Sequence, residues 1–376
     1  MIPLNRNLTT LQRSPIRLYT NMAREITDCA MLTIGEPDFD TPENIRLAAI
    51  AALQDNQTHY APNQGTAALR VEIANIEHVK QEQVLVTIGA THALFTALLG
   101  ILNPGEEVIV PTPGFLLYET IATIAGAKMV PLDVRKTNFQ IGPDALKALI
   151  TPKTKAIVLN SPCNPTGVIF NEESIAAVKQ AVLGRDIFVV CDNVYRGLSY
   201  SDCPDISKDP ELKDQIIVCQ SFSKPWAMTG WRIGYLTCPE YVMERLLLLS
   251  AAEIAAVPTF LQEAAITALH TAPDNMKATY RKRRDYVCAR LDAMGLTYPK
   301  PEGAFYVFPN IAKFGMDSAT FCTRMIREGK VAAVPGGCFG ADDHIRLSYC
   351  YSDTELKKGL DRMEQFIRPF NVGGSL

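Results

Sequence analysis

The chain has 376 residues, of which 47% are hydrophobic and 20% are charged, so it can bury at least one sizeable core. This composition excludes disorder and fibrous structure. Its 37 basic residues against 40 acidic ones leave a net charge of -3, and the one basic run, at 281–284, contains no interleaved aromatic residues. The charge pattern therefore predicts no binding to nucleic acids or to membrane surfaces.

The cysteines and the apolar segments predict a cytoplasmic protein. Ten cysteines show no CxxC spacing and no neighbouring histidine, so we interpret them as reduced thiols. The N-terminal residues lack the continuous apolar core of a signal peptide. The longest apolar stretches, 92–102 and 246–257, are too short or too interrupted to span a bilayer. The five histidines are scattered along the chain, which predicts no metal site.

Short runs rich in β-branched residues alternate with helical patterns through the middle of the chain. Their spacing predicts one wide, mostly parallel sheet in an α/β fold. A crossover helix is predicted over 171–184, because Asn171 provides a capping side chain and Gly184 a terminator. The seven predicted strands are 84–88, 107–110, 129–133, 156–159, 187–191, 216–219 and 233–237.

A long charged segment at 274–294 predicts a helix that bridges two lobes. The order of strand and helix patterns changes after this segment. The elements that follow indicate a second, smaller α+β domain, packed against the first around a shared cleft. They are strands at 305–308, 331–334 and 345–349 and helices at 318–328 and 353–367.

Residues that could bind a ligand or take part in catalysis follow the predicted strands of the sheet. Ligands of open α/β sheets bind beyond the carboxyl ends of the strands, so these residues are expected to meet at one rim. The small residues Ala90 and Thr91 begin a helix there, and free N–H groups at such a start can hold an anion. The other candidates at the rim are Phe115, Asn164, Asp192, Tyr195, Ser221 and Lys224. No GxGxxG or GxxxxGK[ST] pattern is present, which argues against a dinucleotide or P-loop site.

One stretch, Ser221-Phe-Ser-Lys224-Pro-Trp-Ala-Met-Thr-Gly-Trp-Arg232, resembles the lysine signature of class I and II aminotransferases, pyridoxal-phosphate enzymes of fold type I. Further blocks similar to that family follow in the right order over some 310 residues of the chain. They are Gly35-Glu-Pro-Asp-Phe39, Tyr60 ahead of Gly65, Asn164-Pro-Thr-Gly167, Asp192 with Tyr195, Pro301-Glu-Gly-Ala-Phe-Tyr306, Pro335-Gly336 and Ile345-Arg346-Leu-Ser.

The resemblance implies an architecture and domain limits. It implies an α/β fold of the fold type I class, with a mostly parallel seven-stranded sheet, helices on both faces and a smaller α+β domain. The large, cofactor-binding domain is expected at 36–274. The small domain is expected to combine 1–35 with 275–376.

The resemblance also implies how pyridoxal 5'-phosphate is held. Lys224 is expected to bind the cofactor aldehyde and to shuttle a proton, and Asp192 to pair with the ring nitrogen. Asn164 and Tyr195 match the donors to the phenolic oxygen, and Phe115 the aromatic residue that stacks on the ring. The residues that match the phosphate-binding positions are Ala90, Thr91, Ser221 and Arg232.

The substrate and the partner subunit have expected residues as well. Arg346 matches the arginine whose planar fork binds the substrate α-carboxylate, beside Asn164. Gly35 would let the backbone approach that carboxylate; a tight turn with positive φ would also require glycine there, and both can be true. Tyr60 resembles the tyrosine that reaches the phosphate from the other subunit, which implies a homodimer with shared active sites. One departure is that the chain between Arg70 and Val86 is several residues shorter than the family pattern.

The leading functional prediction is an aminotransferase that moves an amino group from an L-amino acid to a 2-oxo acid by a ping-pong route through pyridoxamine phosphate. Two alternatives stay open at this stage. A pyridoxal-phosphate carbon–sulfur β-lyase keeps the same lysine, aspartate and arginine. A non-catalytic regulator that binds the cofactor is the third, although no DNA-binding extension fits in the residues before Gly35.

Overall fold

The computed structural model describes residues 2, 4–11 and 14–372. Its main sheet is built from β2 to β8, so the seven predicted strands are confirmed, with ends that differ by a few residues. The strands within the described residues are β1 (Ala30–Met31), β2 (Val84–Thr87), β3 (Glu107–Thr112), β4 (Lys128–Asp133), β5 (Thr154–Asn160), β6 (Phe188–Asp192), β7 (Ile216–Ser221), β8 (Gly234–Thr237), β9 (Tyr306–Val307), β10 (Val331–Ala332), β11 (Val334–Pro335) and β12 (Ile345–Ser348).

The main sheet has the order β2-β8-β7-β6-β5-β3-β4. Its neighbours are parallel except β8, which runs antiparallel to both β2 and β7. The prediction of a mostly parallel sheet is therefore confirmed. The chain order reverses between β3 and β5, because the chain runs outward from β3 to β4 and then in the opposite direction from β5 to β8. Such switch points are where open α/β sheets bind ligands.

Helices cover both faces of the main sheet. Successive strand residues point to opposite faces, so Val108 and Val110 pack on the side of the helices at 89–101, 117–124 and 240–254, while Ile109 packs on the side of the helices at 143–149 and 172–182. The α-helices within the described residues are α1 (Pro15–Arg24), α2 (Glu43–Gln54), α3 (Ala67–Glu77), α4 (Gly89–Ile101), α5 (Leu117–Ile124), α6 (Pro143–Leu149), α7 (Glu172–Val182), α8 (Glu240–Ile254), α9 (Thr259–Leu269), α10 (Asp274–Ala293), α11 (Ser318–Arg327) and α12 (Asp353–Val372).

Helix α7 is the predicted crossover helix. The Asn171 side chain accepts a hydrogen bond of 2.9 Å from the Ser174 backbone N–H, which satisfies one of the free donors at the helix start. Val178 and Val182 are fully buried against the sheet. The local capping signal and the apolar face thus define the same helix.

The C-terminal part forms two small sheets. In one, β11, β12 and β9 are antiparallel; in the other, β10 pairs parallel with β1 from near the N-terminus. The prediction of one strand at 331–334 is wrong, because β10 and β11 pair with different partners and Ala333 lies between them. The last helix, predicted at 353–367, extends to Val372.

Helix α1 was not predicted from the sequence. It begins at Pro15, whose fixed φ suits the first turn. Tyr19 and Ala23 on one side of α1 are buried in a core shared with α10, α11 and α12. The N-terminal segment therefore packs with the C-terminal elements. No helix of the described residues is long and apolar enough to cross a bilayer.

Candidate active site

A cavity of about 640 Å³ lies beyond the carboxyl ends of the main-sheet strands. Its walls also include residues from α1, from the segment after β1, and from β9 and β12, so the main sheet and the C-terminal elements enclose it together. Eleven of the twelve predicted site residues line it: Gly35, Ala90, Thr91, Phe115, Asn164, Asp192, Tyr195, Ser221, Lys224, Arg232 and Arg346.

Lys224 follows β7, and its Nζ lies in the cavity. Nζ donates a hydrogen bond of 2.6 Å to the Gly35 carbonyl oxygen, which joins the two sides of the cavity. Desolvation of the amine in the cavity lowers the pKa of Lys224 to about 8. A lysine with such a pKa exposes a reactive neutral amine far more readily than a surface lysine.

Asp192 is the last residue of β6 and is buried at the base of the cavity. Tyr118 Oη donates a hydrogen bond of 2.6 Å to Asp192 Oδ2, and the Val194 backbone N–H donates one of 3.3 Å to Oδ1. Burial raises the pKa of Asp192 to about 6, while these two hydrogen bonds favour the carboxylate and oppose the rise. A carboxylate is therefore present at neutral pH, ready to pair with a cation.

Arg346 on β12 is almost fully buried, with 1% of its surface exposed. Nη1 donates a hydrogen bond of 2.9 Å to Asn164 Oδ1, and Nη2 donates one to the Thr33 carbonyl oxygen. Nε has no partner among the described residues. A buried donor without a partner is costly, so this guanidinium is arranged to bind an anion.

Asn164 and Tyr195 present donors to the cavity. Asn164 Oδ1 accepts from Arg346, which leaves the Nδ2 hydrogens free for a ligand. Burial raises the pKa of Tyr195 well above its usual value, so the phenol keeps its proton. Tyr195 Oη lies 2.7 Å from Tyr306 Oη, and this contact fixes the ring position.

The start of α4 and the Arg232 guanidinium form an anion-binding cup. Gly89 has a φ of 70°, and a Cβ there would lie 2.9 Å from Arg232 Nη2, so only glycine allows this approach. Ala90 and Thr91 follow at the helix start, where free N–H groups favour a phosphate. Ser221 lies at the end of β7 in the same wall, and its Oγ accepts a hydrogen bond from the Ser223 backbone N–H.

Gly35 is constrained to be glycine by its close packing against Tyr306. The alternative of a turn with positive φ is wrong, because Gly35 is absent from the residues with positive φ. A Cβ at Gly35 would lie 1.8 Å from Tyr306 Oη. The constraint is therefore close packing of the backbone against a tyrosine, and it leaves the Gly35 carbonyl free to accept from Lys224.

Tyr60 is the one predicted site residue that the structure does not bring to the cavity. It is 92% exposed and lines a separate depression with Ala61, Val257 and Phe260. Sequence reasoning missed Tyr118, which holds Asp192, and Ser223, which lines the cavity beside Lys224. Tyr306 was part of a recognised block without an assigned role. The signal for Tyr118 was its position three residues after Phe115, at the start of α5.

The residues fit a phosphorylated aromatic aldehyde that carries a ring nitrogen. The cavity offers an amine for the aldehyde, a buried carboxylate for the nitrogen, and neutral donors for an oxygen substituent. At the other side, a helix start and an arginine fit the phosphate. Arg346 Nε, which has no partner within the residues that the structure describes, leaves a place for a second anion. This site therefore suits an enzyme that works on carboxylate substrates through a lysine-bound cofactor.

Comparison with known proteins identifies that enzyme class. Residues 27–363 match the family described as Aminotransferase class I and II, and the chain belongs to this family. Enzymes of the family depend on pyridoxal phosphate, and this chain is a pyridoxal-phosphate-dependent aminotransferase. The predictions of enzyme class and cofactor are confirmed.

The relatives cover nearly the whole chain. A probable N-acetyl-LL-diaminopimelate aminotransferase from Bacillus subtilis is 38% identical, across 97% of this chain and 95% of its own. An aspartate aminotransferase from Pyrococcus abyssi is 37% identical, across 96% and 97%. Among solved structures, the aspartate aminotransferase from Thermus thermophilus with maleate has a TM-score of 0.93 at 34% identity, and covers 97% of this chain and 100% of that one. The fold is therefore fold type I, as predicted.

Proposed function

We propose that Lys224, Asp192 and Tyr195 are the catalytic residues with which this aminotransferase moves an amino group from an L-amino acid to a 2-oxo acid. The main observation in support of this proposal is that a lysine amine with a pKa lowered to about 8 shares one cavity with a buried carboxylate and a buried guanidinium. When bound, pyridoxal phosphate supplies the electron sink for the electron pair that stays on Cα when the substrate loses its Cα proton, and it carries the amino group between the two half-reactions.

Lys224 acts as the proton carrier in this proposal. Because its pKa is lowered, part of the Nζ population is neutral near neutral pH and can accept the Cα proton. The protonated amine can then return that proton. Its hydrogen bond to the Gly35 carbonyl holds Nζ beside the segment that also borders the substrate side of the cavity.

Asp192 and Tyr195 orient the cofactor ring in this proposal, and Asp192 supplies the negative charge at that end of the cavity. The Asp192 carboxylate keeps a proton on the ring nitrogen, and Tyr118 holds that carboxylate in place. Tyr195 and Asn164 donate to the phenolic oxygen. Phe115, in the cavity wall next to Tyr118, covers the ring face.

The two anions are held at opposite ends in this proposal. Arg346 and Asn164, with Gly35, bind the substrate α-carboxylate, since Arg346 Nε is a buried donor that finds no partner in the described part of the chain. The phosphate is bound by the N–H groups at the start of α4 and by a charged side chain. The residues proposed for the phosphate are Ala90, Thr91, Ser221 and Arg232.

We further propose a homodimer in which Tyr60 reaches the phosphate of the partner subunit. Tyr60 is 92% exposed in the single chain, so its side chain is available to a second copy. The preceding helix α2 also exposes apolar side chains at helical spacing, Leu47, Ile50 and Leu53. Both features suit a surface that a second copy covers.

The domain limits and the location of the protein are proposals as well. A division into 36–274 and 1–35 with 275–376 is supported by the buried core that α1 and β1 share with α10 to α12. A cytoplasmic location is supported by the ten cysteines, each of which is free.

The relatives' names leave the side chain of the substrate open. They name N-acetyl-LL-diaminopimelate, aspartate and aromatic amino acids. We propose that the amino donor and the 2-oxo acceptor bind at one site in turn, and that selectivity comes from residues around the cavity mouth.

The decisive experiment traps the cofactor on its lysine. The holoenzyme is reduced with borohydride, digested and mapped by mass spectrometry, with Lys224→Ala and the control Lys155→Ala treated alongside. We expect the pyridoxyl group on Lys224 in the wild type and in the control. A label on another lysine of the wild-type protein would overturn the assignment. Formation of pyruvate and ammonia from cystathionine without an oxo acid would instead support the β-lyase.

A further inference from the structure

The backbone N–H of Ile88 lies between the end of β2 and the start of α4. The pairing of β2 ends at Thr87, and the first N–H groups of a helix have no partner within the helix itself. The apolar side chain of Ile88 cannot cap α4. His92 satisfies the free donor instead, because its Nδ1 accepts a hydrogen bond of 3.1 Å from the Ile88 N–H. The ring can reach back four residues because helical side chains tilt toward the N-terminus of their helix.

The same contact fixes the protonation state of the His92 ring. A ring nitrogen that accepts a hydrogen bond carries no proton, so the proton of the neutral ring lies on Nε2. Nε2 is 2.9 Å from Glu253 Oε2, and the Thr96 hydroxyl donates a hydrogen bond of 2.8 Å to the same oxygen. Burial lowers the pKa of His92, although the Glu253 carboxylate opposes this change. The ring is therefore neutral at neutral pH and keeps its acceptor.

Contacts outside the cavity hold the turn at 87–90 on both sides. His92 holds the Ile88 N–H, and the buried Thr87 hydroxyl donates a hydrogen bond of 3.1 Å to the Gly89 carbonyl oxygen. The turn also packs closely against β8, since a Cβ on Gly234 would lie 3.0 Å from the carbonyl carbon of Gly89. His92 does not line the cavity, whereas Ala90 does. His92 can therefore act on a ligand of the cavity only through the backbone of this turn.

We propose that His92, oriented by Glu253, is a positioning residue that holds the turn at 87–90 in the conformation that binds the cofactor phosphate. This inference rests on the phosphate site proposed above. Without an acceptor at Nδ1, the Ile88 N–H would have to rotate toward another partner or toward water, and the N–H groups that follow it would lose their direction. The effect should be specific to the phosphate, because the turn lies at that end of the cofactor.

The test compares two ligands that differ only in the phosphate group. Full-length apoenzyme is titrated with pyridoxal phosphate and with pyridoxal, and binding is followed by protein fluorescence. His92→Leu removes the acceptor, His92→Gln supplies a side-chain oxygen in its place, and Glu253→Ala removes the group that orients the ring. His344→Leu is the matched control, because His344 is also buried, lies 2.8 Å from the carboxylate of Asp343 and does not line the cavity.

We expect His92→Leu to bind pyridoxal phosphate about tenfold more weakly, because one hydrogen bond to the turn is lost, while its affinity for pyridoxal stays unchanged. Glu253→Ala should show a smaller loss of the same kind, and it decides the question if His92→Leu does not fold. His92→Gln and the control should bind both compounds as the wild type does. An unchanged affinity for pyridoxal phosphate in the first two variants, or an equal loss for both compounds, would overturn the inference.

Arg232→Gln separates this inference from the phosphate site on which it rests. Loss of the guanidinium should remove much of the preference for pyridoxal phosphate over pyridoxal, whatever the role of His92. If Arg232→Gln loses this preference and His92→Leu keeps it, the inference fails and the phosphate site stands. If neither variant changes the preference, both the phosphate site and the role of His92 are wrong.

Discussion

The hydroxyl of Tyr118 donates a hydrogen bond of 2.6 Å to the carboxylate of Asp192, and both side chains are buried. Burial raises the pKa of Asp192 to about 6, and the hydrogen bond opposes that rise. The same burial, together with the carboxylate, raises the pKa of Tyr118, so the phenol stays protonated and keeps donating. Tyr118 is thus a positioning residue that keeps Asp192 ionised.

Replacement of Tyr118 by phenylalanine should raise the pKa of Asp192 and weaken its hold on the ring nitrogen. A hydrogen bond to a charged group contributes roughly 1.5–3 kcal/mol, so kcat should fall about tenfold or more. Because an acid with a raised pKa gains its proton at higher pH, the acid limb of the kcat profile should shift to higher pH. Kinetics between pH 5 and 9 measure this shift.

Tyr235→Phe is the matched control. Tyr235 is also a buried tyrosine that donates to a carboxylate, Glu77 Oε1 at 2.8 Å, but neither residue lines the cavity. It should alter stability without moving the pH profile. An acid limb that stays in place in Tyr118→Phe would contradict the positioning role.

Lys224 should make the stability of the apoenzyme depend on pH. Its pKa is about 8 when folded, below the 10.5 of a free lysine, so the unfolded chain binds the proton more tightly between those values. The free energy of unfolding should therefore rise with pH from about 8 to 10.5, by up to about 3 kcal/mol. Urea denaturation of the wild type and of Lys224→Met measures the difference, because Met has no such proton. If the free energy of unfolding changes with pH in the same way in the two proteins, the Lys224 amine is not desolvated.

Arg346→Lys should mainly impair substrate binding. A lysine ammonium cannot supply both the contact to Asn164 and the free donor at Nε, so kcat/KM should fall roughly a hundredfold. Most of the loss should be an increase in KM, while the affinity for the cofactor stays unchanged. Steady-state kinetics with fluorescence titration of cofactor measure both. An unchanged KM would show that Arg346 does not bind the substrate.

Shared active sites predict complementation between two defective chains. In a hybrid of Tyr60→Phe with Lys224→Ala, one site carries both intact residues, so activity should exceed that of either parent. The control hybrid of Asp192→Asn with Lys224→Ala has no intact site and should show no gain. If the first hybrid gains nothing despite confirmed subunit exchange, Tyr60 acts within its own chain.

The rim residues could be predicted because each follows a strand directly. Asp192 is the last residue of β6, and Lys224 comes shortly after β7. The carboxyl ends of parallel strands lie at one edge of the sheet, whatever the details of side-chain packing. The alternation of Val108 and Ile109 likewise defines the two faces of the sheet. These are local patterns, with periods of two and of about 3.6 residues, that the chain carries without its tertiary contacts.

Long-range contacts decided the rest. Residues 331–334 read as one strand, yet their two halves pair with segments more than 300 residues before and about ten after, and no local pattern encodes a choice of partner. The Gly35 backbone packs against Tyr306, 271 positions later, and Thr20 on α1 meets the contacts of Arg346. The sequence alone determined the sheet and the placement of Lys224 and Asp192 at its rim, because these depend on local order. Only tertiary packing brought α1 to the cavity, because that contact joins the two ends of the chain.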